Sequence, residues 1–133
     1  MEILIDTNAY VAFKRGDKQI FEILHNAKTI GINNVVLGEL LAGFAVGNQE
    51  SKNQQELYQF LEIPHIKLLI SNEITAKYYA MIYKQLRHKG KPIPTNDMWI
   101  AATAMQYDFT LLTYDKHFTN IDGLLQYQQL GSQ

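Results

Sequence analysis

The segment MEILIDTNAYVAF (residues 1–13) joins a short apolar run to a second apolar stretch through the polar triplet DTN. Asp6 is the only charged side chain between Ile3 and Phe13. A carboxylate in apolar surroundings is costly unless it is ion-paired, hydrogen-bonded or bound to a metal. The segment therefore predicts a β-strand that runs into the start of a helix, with a carboxylate at the junction whose partner must come from elsewhere.

The composition is that of an ordinary globular domain. The 133 residues are 47% apolar and 19% charged with a net charge of −1, which fits a single domain spanning 1–133. The absence of cysteine excludes a disulfide scaffold and thiolate chemistry, and it suits the cytoplasm, where we expect the protein to act. We expect no signal peptide at the start and no membrane association, because no apolar run approaches about 18 residues. At this net charge, any nucleic-acid contact has to come from a local basic patch.

Short apolar runs alternate with helical patterns along the whole chain. Strands are predicted at 2–5, 29–33, 65–70 and 110–113, with a candidate edge strand at 124–130. Six helices are predicted. The first runs from the DTN triplet to about residue 14, a second begins at residue 17, and a third spans 34–46. After a polar stretch, the remaining three span 54–62, 72 to about 88, and 95 or 96 to 107. This alternation predicts an α/β fold with a mainly parallel sheet of four to five strands flanked by helices.

Three further carboxylates resemble Asp6 in their isolation or position. Glu39 is the only charge between residues 29 and 49, and Asp97 is the only charge between 92 and 107. Asp115 directly follows the predicted strand TLLT, so it shares the carboxyl edge of the sheet with Asp6 if the two strands are neighbours.

Each carboxylate alone also fits an ordinary role: Asp6 as a helix N-cap, Asp97 as a first-turn aspartate, Glu39 as a solvated glutamate and Asp115 as a turn residue. Together they resist ionising unless a cation lies between them. Oxygen-only ligands suit Mg²⁺ or Mn²⁺, and such ions catalyse phosphodiester hydrolysis. The four histidines show no metal-ligand spacing, so we expect no zinc site. His117, two residues from Asp115, could contact substrate, but we favour its interpretation as a surface residue.

Four pieces of sequence, ILIDTNAYVAF, VVLGELLAG, TNDMWIAATA and LLTYDKHF, span residues 3–118 in this order. They resemble the PIN-domain nucleases, and most of all the small toxins of VapBC-type toxin–antitoxin pairs. The resemblance implies a PIN-like fold and a metal site of one or two Mg²⁺ or Mn²⁺ ions bound by four acidic residues, Asp6, Glu39, Asp97 and Asp115. It further implies that Thr7, Asn8 and Thr113 support this site.

The implied activity is endoribonuclease cleavage that leaves 5′-phosphate and 3′-hydroxyl ends, with transfer RNA as one possible substrate. Implied partners are a small antitoxin, whose helix lies in an apolar groove, and a second copy of the chain in a homodimer. Phe13 and Phe44 are candidates for the groove. Candidate RNA contacts are basic residues that could equally be solubilising surface charges: Lys14, Arg15, Arg87, Lys89 and Lys91. The segment RHKGK (87–91) is the densest basic patch and the favoured candidate among them.

Two other readings of the same resemblance stay open. The chain could be a PIN nuclease of RNA maturation or decay, or a catalytically silent PIN-like module that binds within a protein–DNA regulatory complex. A phosphatase of the haloacid-dehalogenase type is excluded, because its chemistry needs a second aspartate at the position of Asn8.

Overall fold

A parallel β-sheet forms the centre of the computed structural model, which describes residues 1–127. Within this part of the chain, four strands lie in the order β3-β2-β1-β4, and each neighbouring pair is parallel. The strands are β1 (Glu2–Ile5), β2 (Thr29–Asn33), β3 (Ile66–Leu69) and β4 (Thr110–Leu112). The predicted α/β fold with a parallel sheet is confirmed, because each strand falls in an apolar run that predicts one.

Helices connect the strands. They are α1 (Thr7–Lys14), α2 (Lys18–His25), α3 (Asn34–Ala45), α4 (Glu50–Leu61), α5 (Glu73–Lys89) and α6 (Thr95–Tyr107), followed by a 3-10 helix over Lys116–Asn120. Within the described residues, no helix is both long enough and apolar enough to cross a membrane.

The central strand β1 is covered on both faces, which explains its unbroken apolar sequence. Ile3, Leu4 and Ile5 are all fully buried, as parallel strands between two helical layers require. On the neighbouring strand, a Cβ at Gly31 would lie 2.8 Å from Leu69 Cδ1 and 2.9 Å from a ring carbon of Phe109. Glycine at this position therefore allows the layers to pack closely on β2.

A buried asparagine ties three elements together at the carboxyl end of β2. Asn33 is fully buried, and the two protons of its Nδ2 are shared among three acceptors: Leu69 O at 3.0 Å, Ser71 Oγ at 3.0 Å and Thr103 Oγ1 at 2.8 Å. Its Oδ1 accepts from Val35 N at 2.7 Å and so caps α3. This one side chain fixes the positions of β3 and α6 relative to α3.

Two helix predictions need correction. Helix α4 begins at Glu50, within the stretch predicted to be a loop, because its first turn is polar and exposed and so gives no apolar periodicity. The helical period of α5 predicts one apolar stripe made of Ile74, Tyr78, Met81, Ile82 and Leu86. Ile82 and Leu86 are buried in the core as this pattern predicts, but Ile74 and Met81 are each 47% exposed.

Helices α5 and α6 pack against each other, with Gln106 Nε2 donating to Asn72 Oδ1 at 3.1 Å. Trp99 is half-buried, and its ring stacks on that of Tyr79 with centroids 4.4 Å apart. The pairing of these two helices positions the first turn of α6, which carries Asp97.

The predicted edge strand over 124–130 falls partly outside the described residues. In the described part, Leu111 N donates to Leu125 O at 2.8 Å and Tyr127 N donates to Leu111 O at 3.0 Å, around a parallel bridge between Leu111 and Gln126. Residues 128–130 lie outside the described part.

Candidate metal centre

Asp6 lies where β1 ends and α1 begins, and it is buried. Only 3% of its surface is exposed, and its Oδ1 accepts from Ala9 N at 2.8 Å, so it is the N-cap of α1. Its Oδ2 accepts from Thr113 Oγ1 at 2.5 Å. Asp6 therefore both caps a helix and belongs to the acidic cluster.

Thr113 connects Asp6 to Asp115 across the carboxyl end of β4. Its Oγ1 accepts from Asp115 N at 3.0 Å while it donates to Asp6. Because the hydroxyl has one proton, the incoming bond from the amide directs that proton to the carboxylate. Strand pairing of β1 with β4 places both groups at the same edge of the sheet.

Glu39 extends from α3 into the same region and is held by two polar side chains. Thr7 Oγ1 donates to its Oε1 at 2.5 Å, and Asn96 Nδ2 donates to its Oε2 at 3.1 Å. Thr7 is among the predicted supporting residues. Asn96 is a contact that the sequence did not suggest, although it directly precedes Asp97.

Asp97, in the first turn of α6, lies against His117. The distance from His117 Nε2 to Asp97 Oδ2 is 2.6 Å, and the side chains are 35% and 18% exposed. His117 therefore lies at the edge of the cleft, partly exposed and in contact with Asp97. The contact joins residues 20 positions apart and depends on the 3-10 turn after β4, which no sequence spacing indicated.

Asp97, Asp115 and His117 form a compact group of potential metal ligands. One ligand atom from each lies within 4.8 Å of the other two, and no other such group of three occurs among residues 1–127. Asp6 and Glu39 lie outside this group of three but line the same cleft. All four predicted carboxylates therefore face one space, with two of them closely associated with a histidine.

Burial and mutual repulsion disfavour ionisation of two of the carboxylates. Burial raises the pKa of Asp6 from 3.8 to about 6, against the lowering effect of the bonds from Thr113 and Ala9, and the charges of Asp115 and Asp97 add to the rise. The pKa of Asp97 is also raised, first by burial and then by Asp115 and Glu39, while His117 opposes the rise. A cation in the cleft would therefore favour the ionised form of both carboxylates.

The cleft that these residues surround has a volume of about 520 Å³. Its lining is mostly polar and consists of Asp6, Thr7, Asn8, Glu39, Pro94, Thr95, Asn96, Asp97, Ile100 and Asp115. Clustered carboxylate oxygens fit a hard divalent cation, which takes oxygen ligands and neutralises their repulsion.

The basic residues predicted to contact RNA differ in their environments: one lines a cavity, and two form ion pairs. Arg15 lines a second cavity of about 590 Å³, which shares Asn8 with the acidic cleft. Lys14 pairs with Glu56 at 3.4 Å. Lys89 Nζ lies 2.6 Å from Asp122 Oδ1, so it secures the end of α5 to the segment after the 3-10 helix.

Two other basic residues, Arg87 and Lys91, are exposed, and Arg87 Nη1 donates to Tyr83 Oη at 3.5 Å. Of the five candidates, Arg15 is therefore the one that the structure places in a cavity adjoining the carboxylates.

Fold and site together define a class: a parallel α/β protein with a four-carboxylate cleft at the carboxyl edge of its sheet. A family model described as PIN domain matches residues 3–124. Ribonuclease VapC2 of Rickettsia felis is 31% identical over 130 residues, covering 94% of this chain and 96% of that protein. Ribonuclease VapC1 of the same organism is 33% identical over 126 residues, covering 93% of each.

A solved structure of VapBC2 from Rickettsia felis, bound to a DNA fragment from the VapBC2 promoter, superposes on this chain with a TM-score of 0.85 at 28% sequence identity. The match covers 96% of this chain and 98% of that chain. The chain therefore belongs to the PIN-domain family and, within it, to the VapC-type ribonucleases, as its sequence motifs predict.

Proposed function

We propose that the acidic cleft hydrolyses RNA phosphodiester bonds with Mg²⁺ or Mn²⁺, one or two ions, and that the protein is the toxin of a toxin–antitoxin pair. The observation that carries the proposal is the convergence of Asp6, Glu39, Asp97 and Asp115 on one cleft. The names of the relatives support ribonuclease chemistry. The silent binding module is disfavoured, because a domain without catalysis has no reason to keep four mutually repelling carboxylates.

In this proposal the carboxylates hold the ion and other residues of the chain position them. A divalent ion supplies Lewis acidity, which activates water and stabilises the charge that develops on the phosphate. Thr113 orients Asp6, and Thr7 with Asn96 orients Glu39. Arg15 lines the adjoining cavity together with Asn8, and in this proposal it neutralises a phosphate of the bound RNA next to the cleft.

The partners follow from the relatives. The structural neighbour from Rickettsia felis is a VapBC complex bound to promoter DNA, so we propose that this chain also binds an antitoxin. A groove of about 270 Å³ between α1, α3 and α4, with Phe44 in its wall, is the candidate site, and Phe13 is half-buried nearby. We further propose RNA, including transfer RNA, as substrate, a homodimer, and a single PIN domain over 1–133.

The proposal is tested with end-labelled structured RNA, purified protein, and Mg²⁺, Mn²⁺ or chelator. We expect cleavage with either ion, none with chelator, and a loss of at least about 100-fold in Asp6→Asn and Asp97→Asn, since each removes a charged ligand. Products should carry 5′-phosphate and 3′-hydroxyl ends.

A matched control is Asp108→Asn, which removes an exposed carboxylate outside the cleft at a left-handed position (φ 60°) that asparagine tolerates. Its activity should equal that of the wild type. Cleavage that survives in both folded cleft variants would refute the assignment of the carboxylates.

A further inference from the structure

The His117 side chain, 35% exposed, faces two carboxylates of the cleft. Its Nε2 lies 2.6 Å from Asp97 Oδ2, and it belongs to the compact group with Asp97 and Asp115. Its ring packs against that of the fully buried Phe118, with centroids 4.9 Å apart, so the imidazole is anchored at the edge of the cleft.

We propose that His117 Nε2 is a nitrogen ligand of the divalent cation that Asp97 and Asp115 hold, and that it makes the site prefer Mn²⁺ to Mg²⁺. The inference rests on the proposed metal-dependent function and adds a ligand of a different chemical type to the carboxylates. It concerns which ion the site takes, not whether it takes one.

The spacing of the three side chains supports this assignment. Opposite ligands of an ion with bonds of about 2.2 Å lie about 4.4 Å apart, and adjacent ligands about 3 Å apart. The ligand atoms of Asp97, Asp115 and His117 all lie within 4.8 Å of one another. His117 Nε2 and Asp97 Oδ2, now 2.6 Å apart, would have to separate to about 3 Å to bind one ion as adjacent ligands.

The chemistry of the donors gives the preference. Mg²⁺ binds oxygen and keeps its waters, whereas imidazole nitrogen favours the first-row transition ions, whose affinities rise from Mn²⁺ toward Cu²⁺. Replacing one oxygen ligand by imidazole therefore shifts the balance of affinities away from Mg²⁺.

The alternative is that His117 only donates a hydrogen bond to Asp97 and never touches the ion. His117→Gln distinguishes the two, because the glutamine amide can still donate to Asp97 but offers no nitrogen lone pair. A pulsed electron paramagnetic resonance measurement of bound Mn²⁺ detects directly coordinated ¹⁴N.

The experiment uses the full chain, stripped of metal and loaded with Mn²⁺. We expect ¹⁴N modulation in the wild type, its loss in His117→Gln, and its retention in His65→Gln, a matched change at an exposed histidine. In calorimetric titrations, His117→Gln should weaken Mn²⁺ binding by at least about tenfold and Mg²⁺ binding by less than about threefold.

Bound Mn²⁺ without ¹⁴N modulation, or modulation that persists in His117→Gln, overturns the inference. If the same wild-type sample also cleaves RNA, the proposed function survives that failure. A wild type that binds no Mn²⁺ and cleaves no RNA overturns both.

Discussion

At the scale of single residues, one hydroxyl contacts both the most buried carboxylate of the cleft and the backbone of a second acidic residue. Thr113 donates to Asp6 and accepts from Asp115 N, so it supports the charged form of Asp6 while fixing the backbone that carries Asp115. Even so, burial keeps the pKa of Asp6 at about 6. Physiological pH lies above this pKa, so the buried Asp6 carboxylate is charged there and needs a cation to neutralise it.

The raised pKa predicts how the stability of the metal-free protein depends on pH. Because the folded-state pKa of Asp6 lies above its ordinary value of 3.8, the folded state binds this proton more tightly than the unfolded state. The contribution is fully present below about pH 3.8 and is lost as pH rises through about 6. A shift of about two units corresponds to about 3 kcal/mol of unfolding free energy.

Urea unfolding in chelator between pH 4 and pH 7 measures this dependence, with Asp6→Asn as the comparison. The wild type should lose more stability than the variant as pH rises, and Mn²⁺ should restore stability to the wild type above pH 6. Parallel curves for the two proteins would contradict the assignment.

At the scale of elements, the sequence predicted the strands and most helices because their apolar periods are local. It predicted the four carboxylates because each stands alone in an apolar stretch or at a strand end. It missed the contact of His117 with Asp97 and that of Asn96 with Glu39. Both contacts join distant segments, and their geometry arises only when α3, α6 and the 3-10 helix meet at one edge.

Asn33 connects whole elements, as Thr113 connects two residues of the cleft. Its side chain, which lies at the end of β2, has hydrogen-bond partners on β3, α3 and α6, and α6 carries Asp97. Asn33→Ala leaves buried partners without a bond and removes a helix cap, which should cost about 2–4 kcal/mol.

Urea unfolding of Asn33→Ala beside Asn26→Ala checks this value. Asn26 also makes a side-chain bond to a backbone carbonyl, Glu22 O at 3.0 Å, but it is exposed, so its loss should cost no more than about 0.5 kcal/mol. Equal midpoints for the two variants would show that the junction around Asn33 does not hold these elements together.

At the scale of the whole molecule, α5 buries only part of its apolar surface. Ile82 and Leu86 are buried in the core, whereas Ile74 and Met81, seven residues apart on one helical face, are each 47% exposed, with the half-buried Tyr78 between them. A row of exposed apolar side chains beside the buried face of a helix is typical of an interface. The row formed by Ile74, Tyr78 and Met81 is therefore the surface that we propose for the homodimer.

In a two-fold symmetric interface, each residue is contributed once by each subunit. Met81→Glu therefore places two negative charges in the interface and should separate the dimer. Light scattering should give about twice the 15.3 kDa of one chain for the wild type and about one chain mass for Met81→Glu. Phe21→Glu, which changes an aromatic residue on α2 that is 52% exposed, should stay dimeric. A dimeric Met81→Glu would place the interface elsewhere, and a monomeric wild type would remove the homodimer from the proposal.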